Sequence, residues 1–510
     1  MSREKFNLRE WRIALDKTYD MLIIGGGING TAIARDAAGR GLSVCLCEKD
    51  DLANHTSSAS TKLVHGGLRY LEHYEFRLVR ESLKEREVLL RAAPHIIWPM
   101  RFVLPYDEGL RPKWMLRAGL FLYDSLGGRE LLPGTKTKKL DKAPHLGVLE
   151  SRLKMGFEYS DCWVEDSRLV VLNAVDASKH GAKIKTHHKV MDLTTSQNGY
   201  VADIRSKTGE TFSISAKAVI NAAGPWVEEV LLKLKPGSNT SSLRLVKGSH
   251  IVTKRLFDGD HAYIFQNEDE RIIFAIPYEN DYTLIGTTDV PFEPHQGPAK
   301  ASDEEISYLC DAANEYFEND ISPSDVVWTY SGVRPLYDDK SADASEVTRD
   351  YVLNIEEFAK NSPFLSVYGG KITTSRKLAE HVMEKLSSYF DKADTAWTRD
   401  AHLPGGNIKD ADFDRWFDKI SAGYNKVDPK ILFRLCRAYG TRVNLVFRER
   451  ENKDLGQMFG DKLSEAEAQY LVAYEWATSA DDILWRRTKL GLHMSPEERD
   501  SFARWFESAF

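Results

Sequence analysis

The sequence feature that most restricts the fold is a glycine-rich turn near the N-terminus. An apolar run covers residues 19–24, and Gly25-x-Gly27-x-x-Gly30 follows it directly. A helical pattern comes next, and then a second apolar run that ends at the acidic residue Glu48. This order of strand, glycine turn, helix, strand and acid predicts a βαβ unit that binds a dinucleotide.

The three glycines have separate physical roles in such a turn. Gly25 makes the tight bend, Gly27 lets the backbone approach a pyrophosphate, and Gly30 lets the helix pack against the strand. The positive end of the helix dipole then faces the phosphates. Glu48, eighteen residues after Gly30, is placed to accept hydrogen bonds from ribose hydroxyls.

The order of the later segments favours FAD over a nicotinamide cofactor. After Glu48 the chain enters a Ser/Thr- and Gly-rich loop, residues 56–67, instead of the next helix. Further glycine-bearing strand ends follow at Ala222–Trp226 and at Gly369-Gly370, after long insertions. Distant segments that each touch the ligand suit a long cofactor.

Composition excludes several classes of protein. A chain of 510 residues is too long for one core, and its net charge of −7 gives no general reason to bind nucleic acid. The five cysteines form neither a disulfide framework nor a metal-ligand spacing, and Cys45 and Cys47 alternate along an apparent strand as buried residues do. We therefore expect a reduced, cytosolic protein without a metal and without a transmembrane helix.

The pattern predicts an α/β protein with two domains. Helices are expected at 76–91, 112–126, 167–180 and 302–317, and short strands at 183–193, 199–205, 210–215 and through 244–332. An FAD-dependent oxidoreductase region, 18–396, would combine FAD-binding segments (18–75, 150–225 and 363–390) with an inserted antiparallel substrate-binding sheet (76–149 and 244–362). A separate C-terminal helical domain, 397–510, would follow.

Six further motifs resemble those of the FAD-dependent, respiratory glycerol-3-phosphate dehydrogenases, and the resemblance runs from about residue 18 past residue 490. The motifs are SSASTKLVHGGLRYLE (57–72), GFEYSDC (156–162), KGSHI (247–251), GTTD (286–289), YSGVRPL (330–336) and GGKITT (369–374). An N-terminal extension of about fifteen residues departs from the family pattern.

The resemblance implies a Rossmann-type FAD domain like those of glutathione reductase and D-amino-acid oxidase. It also implies oxidation of sn-glycerol 3-phosphate to dihydroxyacetone phosphate, with electrons passing through FAD to membrane quinone. The protein would then be monotopic on the inner face of the cytoplasmic membrane, and the resemblance leaves a homodimer open.

A small phosphorylated alcohol needs cations for its phosphate and a base near its secondary hydroxyl. On the resemblance, His250 is the expected base and Arg334 a second catalytic group that also binds substrate. The other expected substrate ligands are Arg69, Tyr70, Lys371 and Thr374. The residues expected to contact FAD are Gly25, Gly27, Asn29, Gly30, Glu48, Ser58, Ser60, Lys62, His65, Gly66, Gly67, Ala223, Gly224, Gly369, Gly370, Lys371 and Thr373.

Three other functions stay open at this point. A flavin amino-acid oxidase of the same architecture would bind a carboxylate, for which one arginine suffices. A soluble glycerol-3-phosphate oxidase would share the site but pass electrons to oxygen. A non-catalytic flavoprotein would bind FAD without any substrate reducing it.

The predicted helix at 112–126 is a candidate membrane contact. At 100° per residue, Lys113, Arg117 and Asp124 form one narrow polar stripe, and Arg111 adds a cation at the helix entry. Apolar residues cover the rest of its surface: Trp114, Met115, Leu116, Ala118, Leu120, Phe121 and Leu122. This composition is typical of an interfacial helix, and equally of a helix packed inside the protein.

Overall fold

The computed structural model describes residues 18–107, 112–237, 243–269, 271–293, 297–337, 350–448 and 453–510. The N-terminal extension and Arg111 therefore lie outside the described residues.

The elements of the first half are, in chain order, β1 (Thr18–Ile24), α1 (Ile28–Gly39), β2 (Val44–Cys47), β3 (Leu63–Val64), α2 (Phe76–Ala92), β4 (Ile97–Pro105), α3 (Lys113–Leu126), β5 (Lys136–Lys139), β6 (Met155–Val164), α4 (Asp166–Lys179), β7 (Lys183–Lys185), β8 (His188–Ser196), β9 (Gly199–Ser206), β10 (Thr211–Asn221) and α5 (Val227–Leu232). Those of the second half are β11 (Leu243–Lys254), β12 (Ala262–Gln266), β13 (Ile272–Tyr278), β14 (Tyr282–Gly286), β15 (Val290–Pro291), α6 (Asp303–Asn314), β16 (Val326–Tyr337), β17 (Val352–Ala359), β18 (Ser362–Tyr368), α7 (Ser375–Lys385), α8 (Phe413–Ser421), α9 (Pro429–Tyr439), α10 (Val443–Val446), β19 (Met458–Phe459), β20 (Leu463–Ser464), α11 (Glu465–Glu475) and α12 (Pro496–Ala509).

An eight-stranded sheet forms the dinucleotide-binding part of the molecule. Its strand order is β17, β18, β10, β1, β2 and β7, with β9 beside β10 and β8 beside β9. β1 pairs in parallel with both β2 and β10, and β10 pairs in parallel with β18. Met21 and Ile23 of β1 pack with Ile33 of α1 and Leu378 of α7 in one buried cluster. The predicted βαβ unit is thus the centre of this sheet.

A ten-stranded sheet forms the second layer. Its order is β15, β11, β14, β13, β12, β4, β6 and β3, with β16 added to β11 and β5 to β6. Neighbours are antiparallel except β12 and β4. Ile251 and Ile285 on one face pack with Leu309 of α6, whereas Val252 and Leu284 on the other face join a different cluster. Because side chains alternate between the two faces of a strand, each face of this sheet packs in a different buried cluster.

The structure divides the two sheets differently from the predicted segments. Residues 155–164, expected in the FAD-binding part, form β6 and pair with β4 in the ten-stranded sheet. Residues 352–359, expected in the substrate sheet, form β17 and pair with β18 in the eight-stranded sheet. Strands of similar apolar character do not reveal from sequence which of two sheets they will join.

The helix predictions agree with the structure to within a few residues. The largest difference is at 302–317, where α6 begins at Asp303 and ends at Asn314. All five cysteines are buried and free. No helix in the described part of the chain combines the length and the hydropathy needed to cross a bilayer.

The C-terminal part is helical, as expected, and has its own core. That core includes Phe413, Leu435, Leu471 and Phe502, and only the two-residue strands β19 and β20 interrupt the described helices. The architecture is therefore a two-sheet α/β region followed by a helical domain.

Candidate active site

The glycine-rich turn between β1 and α1 leaves no room for side chains. Gly25 has a φ of +114°, and a Cβ built on it would lie 2.4 Å from the carbonyl oxygen of Ala222. A Cβ on Gly30 would lie 2.0 Å from the carbonyl oxygen of Gly25. The turn therefore presents backbone atoms and the positive end of α1, which is the arrangement that binds a pyrophosphate.

A groove runs along the carboxyl ends of β1, β10 and β18. Because these strands are parallel neighbours, the three predicted glycine-bearing strand ends meet at one edge of the sheet. Eight of the predicted cofactor residues line the groove: Gly25, Gly27, Asn29, Glu48, Ala223, Gly224, Gly369 and Gly370.

Asn29 connects two of these strand ends. Its Nδ2 donates a hydrogen bond to the carbonyl oxygen of Gly369 at 3.0 Å. A Cβ on Gly370 would lie 2.8 Å from that same Nδ2, so the approach requires glycine. The Oδ1 of Asn29 is buried and has no hydrogen-bond partner among the described residues. Asn29 thus offers a buried acceptor at the edge of the groove.

Glu48 binds the turn itself. Its carboxyl oxygens accept hydrogen bonds from the backbone amides of Gly26 at 2.6 Å and Asp50 at 2.8 Å. Burial raises the pKa of Glu48, although these two amide donors act in the opposite direction. The side chain therefore holds the glycine turn in place as well as lining the groove.

The sequence did not reveal a cluster of Lys49, His55 and Trp226 in the groove. The Lys49 ammonium lies 3.4 Å from the centre of the Trp226 ring, and His55 contacts the same ring edge-on at 4.5 Å between centroids. His55 Nε2 is 2.8 Å from Asp50 Oδ2. Trp226 follows the glycine-bearing end of β10, and this position was the one available signal for an aromatic wall.

Ser58, Ser60 and Lys62 do not line the groove, although they were predicted to contact the cofactor. Lys62 is fully buried, and its Nζ is 2.9 Å from both carboxylate oxygens of Asp166. Ser60 Oγ donates to the same carboxylate at 2.8 Å. Ser57 lines the groove instead, and its Oγ accepts from the amide of Ile28 at 3.0 Å. The charge of Lys62 is thus used inside the protein.

His250 and Arg334 share one face of the ten-stranded sheet. His250 lies opposite Tyr330 on β16, and Gly332 and Arg334 follow on the same face at alternate positions. A Cβ on Gly332 would lie 2.9 Å from the Cβ of Ala59. This face therefore abuts the Ser/Thr-rich loop at 56–67 that leads away from the glycine turn.

His250 is held in one orientation and is 2% exposed. Its ring stacks on Tyr330 at 4.7 Å, and its Nε2 lies 3.0 Å from the hydroxyl of Thr61. Its Nδ1 is buried without a hydrogen-bond partner in the described part of the chain. Burial, with Lys62 and Arg334 as lesser causes, lowers the pKa of His250 well below its ordinary value. The ring is therefore neutral near pH 7 and able to accept a proton.

Arg334, predicted to bind substrate, also has partners inside the protein. Its Nη2 donates to the carbonyl oxygen of Thr288 at 2.7 Å and lies 2.6 Å from Asp289 Oδ1. A Cβ on Gly248 would lie 2.5 Å from this nitrogen, so glycine makes room for the guanidinium. The side chain is still 26% exposed. One edge of the guanidinium is anchored, while part of the side chain remains accessible.

The loop that carries His65 and Tyr70 meets the segment after β18. The amide of His65 donates to Thr373 Oγ1 at 3.2 Å, and the Lys371 ammonium lies 3.8 Å from the centre of the Tyr70 ring. Lys371 Nζ is buried, and no described residue accepts a hydrogen bond from it. Gly67, with φ of +75°, turns the chain between the two contact points. Four of the predicted site residues thus lie together: His65, Tyr70, Lys371 and Thr373.

Two predicted substrate ligands show no direct link to this group. Within the described ranges, the Arg69 guanidinium makes no hydrogen bond or ion pair, and it is half-buried in the turn Leu68–Leu71. Thr374 is buried and precedes α7, but its hydroxyl does not cap the helix. Capping is therefore not what Thr374 does here.

Two family models match the chain. The first, FAD dependent oxidoreductase, covers residues 20–376, and the second, the C-terminal domain of alpha-glycerophosphate oxidase, covers residues 396–505. Their boundary agrees with the change from sheets to helices.

Individual proteins resemble the chain over nearly its whole length. It is 50% identical to D-erythritol 1-phosphate dehydrogenase of Brucella abortus, with 98% of this chain and 99% of the relative covered. It is 47% identical to glycerol-3-phosphate dehydrogenase of Pseudomonas aeruginosa, with 97% and 96% covered. The structure of glycerol-3-phosphate dehydrogenase from Bacillus halodurans complexed with FAD aligns with a TM-score of 0.73 and 28% identity, over 97% of this chain and 95% of that one.

Proposed function

The chain belongs to the FAD-dependent oxidoreductases, and from that premise we propose that it oxidises sn-glycerol 3-phosphate to dihydroxyacetone phosphate with membrane quinone as the final acceptor. Its cofactor is FAD. The groove fits that cofactor, because its turn excludes side chains, the positive end of α1 opens into it, and Asn29 offers it an unused buried acceptor. The relatives named glycerol-3-phosphate dehydrogenase support the substrate.

The observation that carries the proposal is the buried ammonium of Lys371. A buried charge is costly unless it is paired, and no described residue accepts a hydrogen bond from this one. It lies against Tyr70, next to the loop that carries Arg69. We infer that an acceptor on a bound molecule pairs with the Lys371 ammonium, and that this acceptor is either the phosphate of the substrate or a group of the cofactor.

The side chains then divide the reaction between them. When bound, FAD supplies the acceptor for a hydride from the carbon that bears the secondary hydroxyl. His250 takes the hydroxyl proton on its unused Nδ1, and Thr61 holds the opposite ring nitrogen. Arg334, anchored by Thr288 and Asp289, faces the substrate oxygens with the accessible part of its guanidinium.

The direct test is anaerobic reduction of the purified yellow protein. We expect glycerol 3-phosphate to bleach the flavin absorbance, and glycerol and glycine to leave it unchanged, because neither carries the phosphate. Bleaching by an amino acid at a lower concentration would instead assign the protein to the amino-acid oxidases. Absence of bleaching by any phosphorylated polyol would reject glycerol 3-phosphate and its whole substrate class.

D-Erythritol 1-phosphate is a second candidate substrate, because the relative that acts on it is 50% identical over almost the full chain. Both molecules carry a phosphorylated primary carbon next to a secondary alcohol, and they differ by one CHOH unit. The test compares kcat/KM for the two compounds in one preparation. The compound with the higher kcat/KM is the preferred substrate of the site.

The electron acceptor is tested separately. If quinone is the acceptor, a soluble quinone analogue should restore the bleached absorbance faster than dissolved oxygen does. Equal rates accompanied by stoichiometric hydrogen peroxide would favour the oxidase instead.

The face of α3 supports a membrane contact on the cytoplasmic side. Trp114 and Phe121 are 70% and 71% exposed, and Met115 and Leu122 are 45% and 40% exposed. These positions follow one another along one side of the helix, and contiguous exposed apolar surface of this kind marks an interaction site. Leu120 is only 1% exposed, so the opposite side of the helix belongs to the core. One side of α3 thus packs in the core, and the other side is available for the proposed membrane contact.

The membrane contact is tested on the exposed side only. We expect Trp114→Ser with Phe121→Ser to leave anaerobic reduction by substrate intact, yet to release the protein from vesicles and slow quinone reduction in them. Leu146→Ser is the matched control, since Leu146 is 69% exposed but lies outside α3. Unchanged vesicle binding by the double variant would place the membrane contact elsewhere. Leu120→Glu is unsuitable, because it would place a charge in the core.

A further inference from the structure

A buried polar cluster joins α3 to the loop at His65–Tyr70. Tyr123 of α3, Asp161 of β6 and Arg86 of α2 are each 2% exposed. The Tyr123 hydroxyl lies 2.7 and 2.8 Å from the two Asp161 oxygens, and it accepts a hydrogen bond from the amide of Gly66 at 2.8 Å. The loop backbone is therefore tied to a side chain from a different helix.

The Asp161 carboxylate is paired with Arg86. Arg86 Nη1 donates to Asp161 Oδ1 and to the carbonyl oxygen of Ser160, each at 2.7 Å. Burial raises the pKa of Tyr123 well above its ordinary value, with the Asp161 charge as the next cause, so the phenol stays protonated. Its single proton goes to Asp161, and a lone pair is left to accept from Gly66.

The residue at the contact must be glycine. A Cβ built on Gly66 would lie 2.7 Å from the Tyr123 hydroxyl oxygen and 2.5 Å from Leu83 Cδ2. Gly127, at the end of α3, would likewise bring a Cβ to 2.3 Å from Leu83 Cβ. The two glycines thus let α2, α3 and the loop approach closely enough for the hydrogen bond to form.

The tethered amide lies between residues of the proposed site. His65 precedes Gly66, and its backbone amide donates a hydrogen bond to the Thr373 hydroxyl. Tyr70 lies four residues after Gly66, and its ring lies under the Lys371 ammonium. Between Gly66 and Tyr70 the chain makes only one left-handed turn at Gly67 and one turn of 3₁₀ helix. A shift of the Gly66 amide therefore moves the residues on both sides of it.

We propose that Tyr123, supported by Asp161 and Arg86, is a positioning residue that fixes the loop at His65–Tyr70 for catalysis. Tyr123 is buried and does not line the groove, and it acts through the backbone of Gly66. The inference rests on the proposed function only for the choice of substrate in its kinetic test. Removal of the hydroxyl leaves the Gly66 amide with Asp161 Oδ1, at 3.4 Å, as its nearest acceptor.

The test is Tyr123→Phe in the FAD-loaded protein, with Tyr278→Phe as the matched control. Both phenols are buried in the same apolar cluster, but the Tyr278 hydroxyl has no hydrogen-bond partner among the described residues. We expect Tyr123→Phe to slow flavin reduction at saturating glycerol 3-phosphate at least tenfold. FAD stoichiometry and the thermal midpoint should match those of Tyr278→Phe, which should reduce at the wild-type rate.

A second readout needs no substrate. The visible circular dichroism of the bound flavin reports the asymmetry of its surroundings, and we expect it to change in Tyr123→Phe but not in Tyr278→Phe. Equal spectra together with equal reduction rates in the two variants would overturn the inference. So would a loss of rate that merely follows a loss of FAD.

Failure of the proposed function and failure of the inference about Tyr123 can be told apart. If wild-type protein is not bleached by any phosphorylated polyol, the proposed function fails while the spectral comparison still decides the role of Tyr123. If Tyr123→Phe does not fold, the paired change Asp161→Leu with Arg86→Met removes the support of the Tyr123 hydroxyl without leaving a buried charge, and it should give the same spectral change. A wild-type spectrum in that folded double variant would contradict the inference.

Discussion

The two ends of the site are built in different ways. At the glycine turn, backbone groups of one continuous segment, Gly25–Gly30, face the groove, and Glu48 holds the turn. At the other end, side chains from four distant segments, represented by Tyr70, His250, Arg334 and Lys371, carry the proposed chemistry. We therefore expect the glycine-turn end to control how tightly the cofactor is held, and the other end to control what the loaded enzyme does.

The C-terminal domain enters this comparison at the glycine-turn end. Asp51, in the loop after Glu48, is 1% exposed and is bound by Arg486 at 2.7 Å. Arg487, also fully buried, donates to both oxygens of Asp51 at 2.7 Å and to the carbonyl oxygen of Glu475. A buried network from the helical domain thus fixes the loop that supplies Lys49 and other groove residues.

The largest effect is therefore expected from Asp51→Asn. It leaves the fully buried Arg487 with a neutral partner, while Arg486 keeps Asp482, and breaking such a buried pair costs roughly 3–5 kcal/mol of the free energy of unfolding. We also expect FAD affinity to fall, while turnover at saturating FAD stays near that of wild type. Chemical denaturation and FAD titration of the apoprotein measure the two quantities. Asp481→Asn is the control, because Asp481 belongs to the same domain as the two arginines but is exposed.

If Asp51→Asn instead lowers turnover at saturating FAD with no loss of affinity, the division between the two ends is wrong. The C-terminal domain would then act on the chemistry and not on the cofactor loop.

The next effect, at the opposite end, is the loss on changing Arg334→Lys. An ammonium can keep one contact with Asp289, but its single nitrogen cannot reproduce the planar guanidinium that holds Thr288 and Asp289 while part of it stays accessible to a substrate. We expect a loss of roughly 2–4 kcal/mol in transition-state stabilisation, measured as kcat/KM. FAD affinity should not change. Near-wild-type turnover would show that Arg334 serves the Asp289 contact alone.

The same contrast explains what the sequence could predict. The βαβ unit follows from neighbouring residues, so its strands, its helix and the positions of Gly25 and Glu48 agree with the structure. The pairing of Lys62 was not predicted, because its partner, Asp166, is 104 residues away and no local pattern marks the pairing. The pairing of Arg334 was not predicted for a similar reason, since Asp289 reaches it from the segment between β14 and β15.

At the substrate end, only the family motifs pointed to His250 and Lys371. The alternation along β11 left open which face His250 would occupy until its pairing with β16 placed it beside Tyr330. The ammonium of Lys371 became informative only when the structure showed it to be buried. Pairing between distant strands, and the burial that results, are global properties that a local pattern does not contain.

The smallest of the three effects is expected for Glu48→Ala, at the glycine-turn end. The substitution removes the acceptor for the amides of Gly26 and Asp50, and each hydrogen bond to a charged group contributes about 1.5–3 kcal/mol. Part of that loss is recovered when water reaches the amides, so we expect FAD affinity to fall by about tenfold with the fold intact. Turnover at saturating FAD should stay within a factor of about two of wild type, because Glu48 lies at the end of the site that holds the cofactor. Glu48→Gln, which keeps an acceptor oxygen, should show a smaller loss of affinity. FAD titration of the apoprotein followed by turnover measures both, and stoichiometric FAD retention by Glu48→Ala through gel filtration at low protein concentration would count against the role of Glu48.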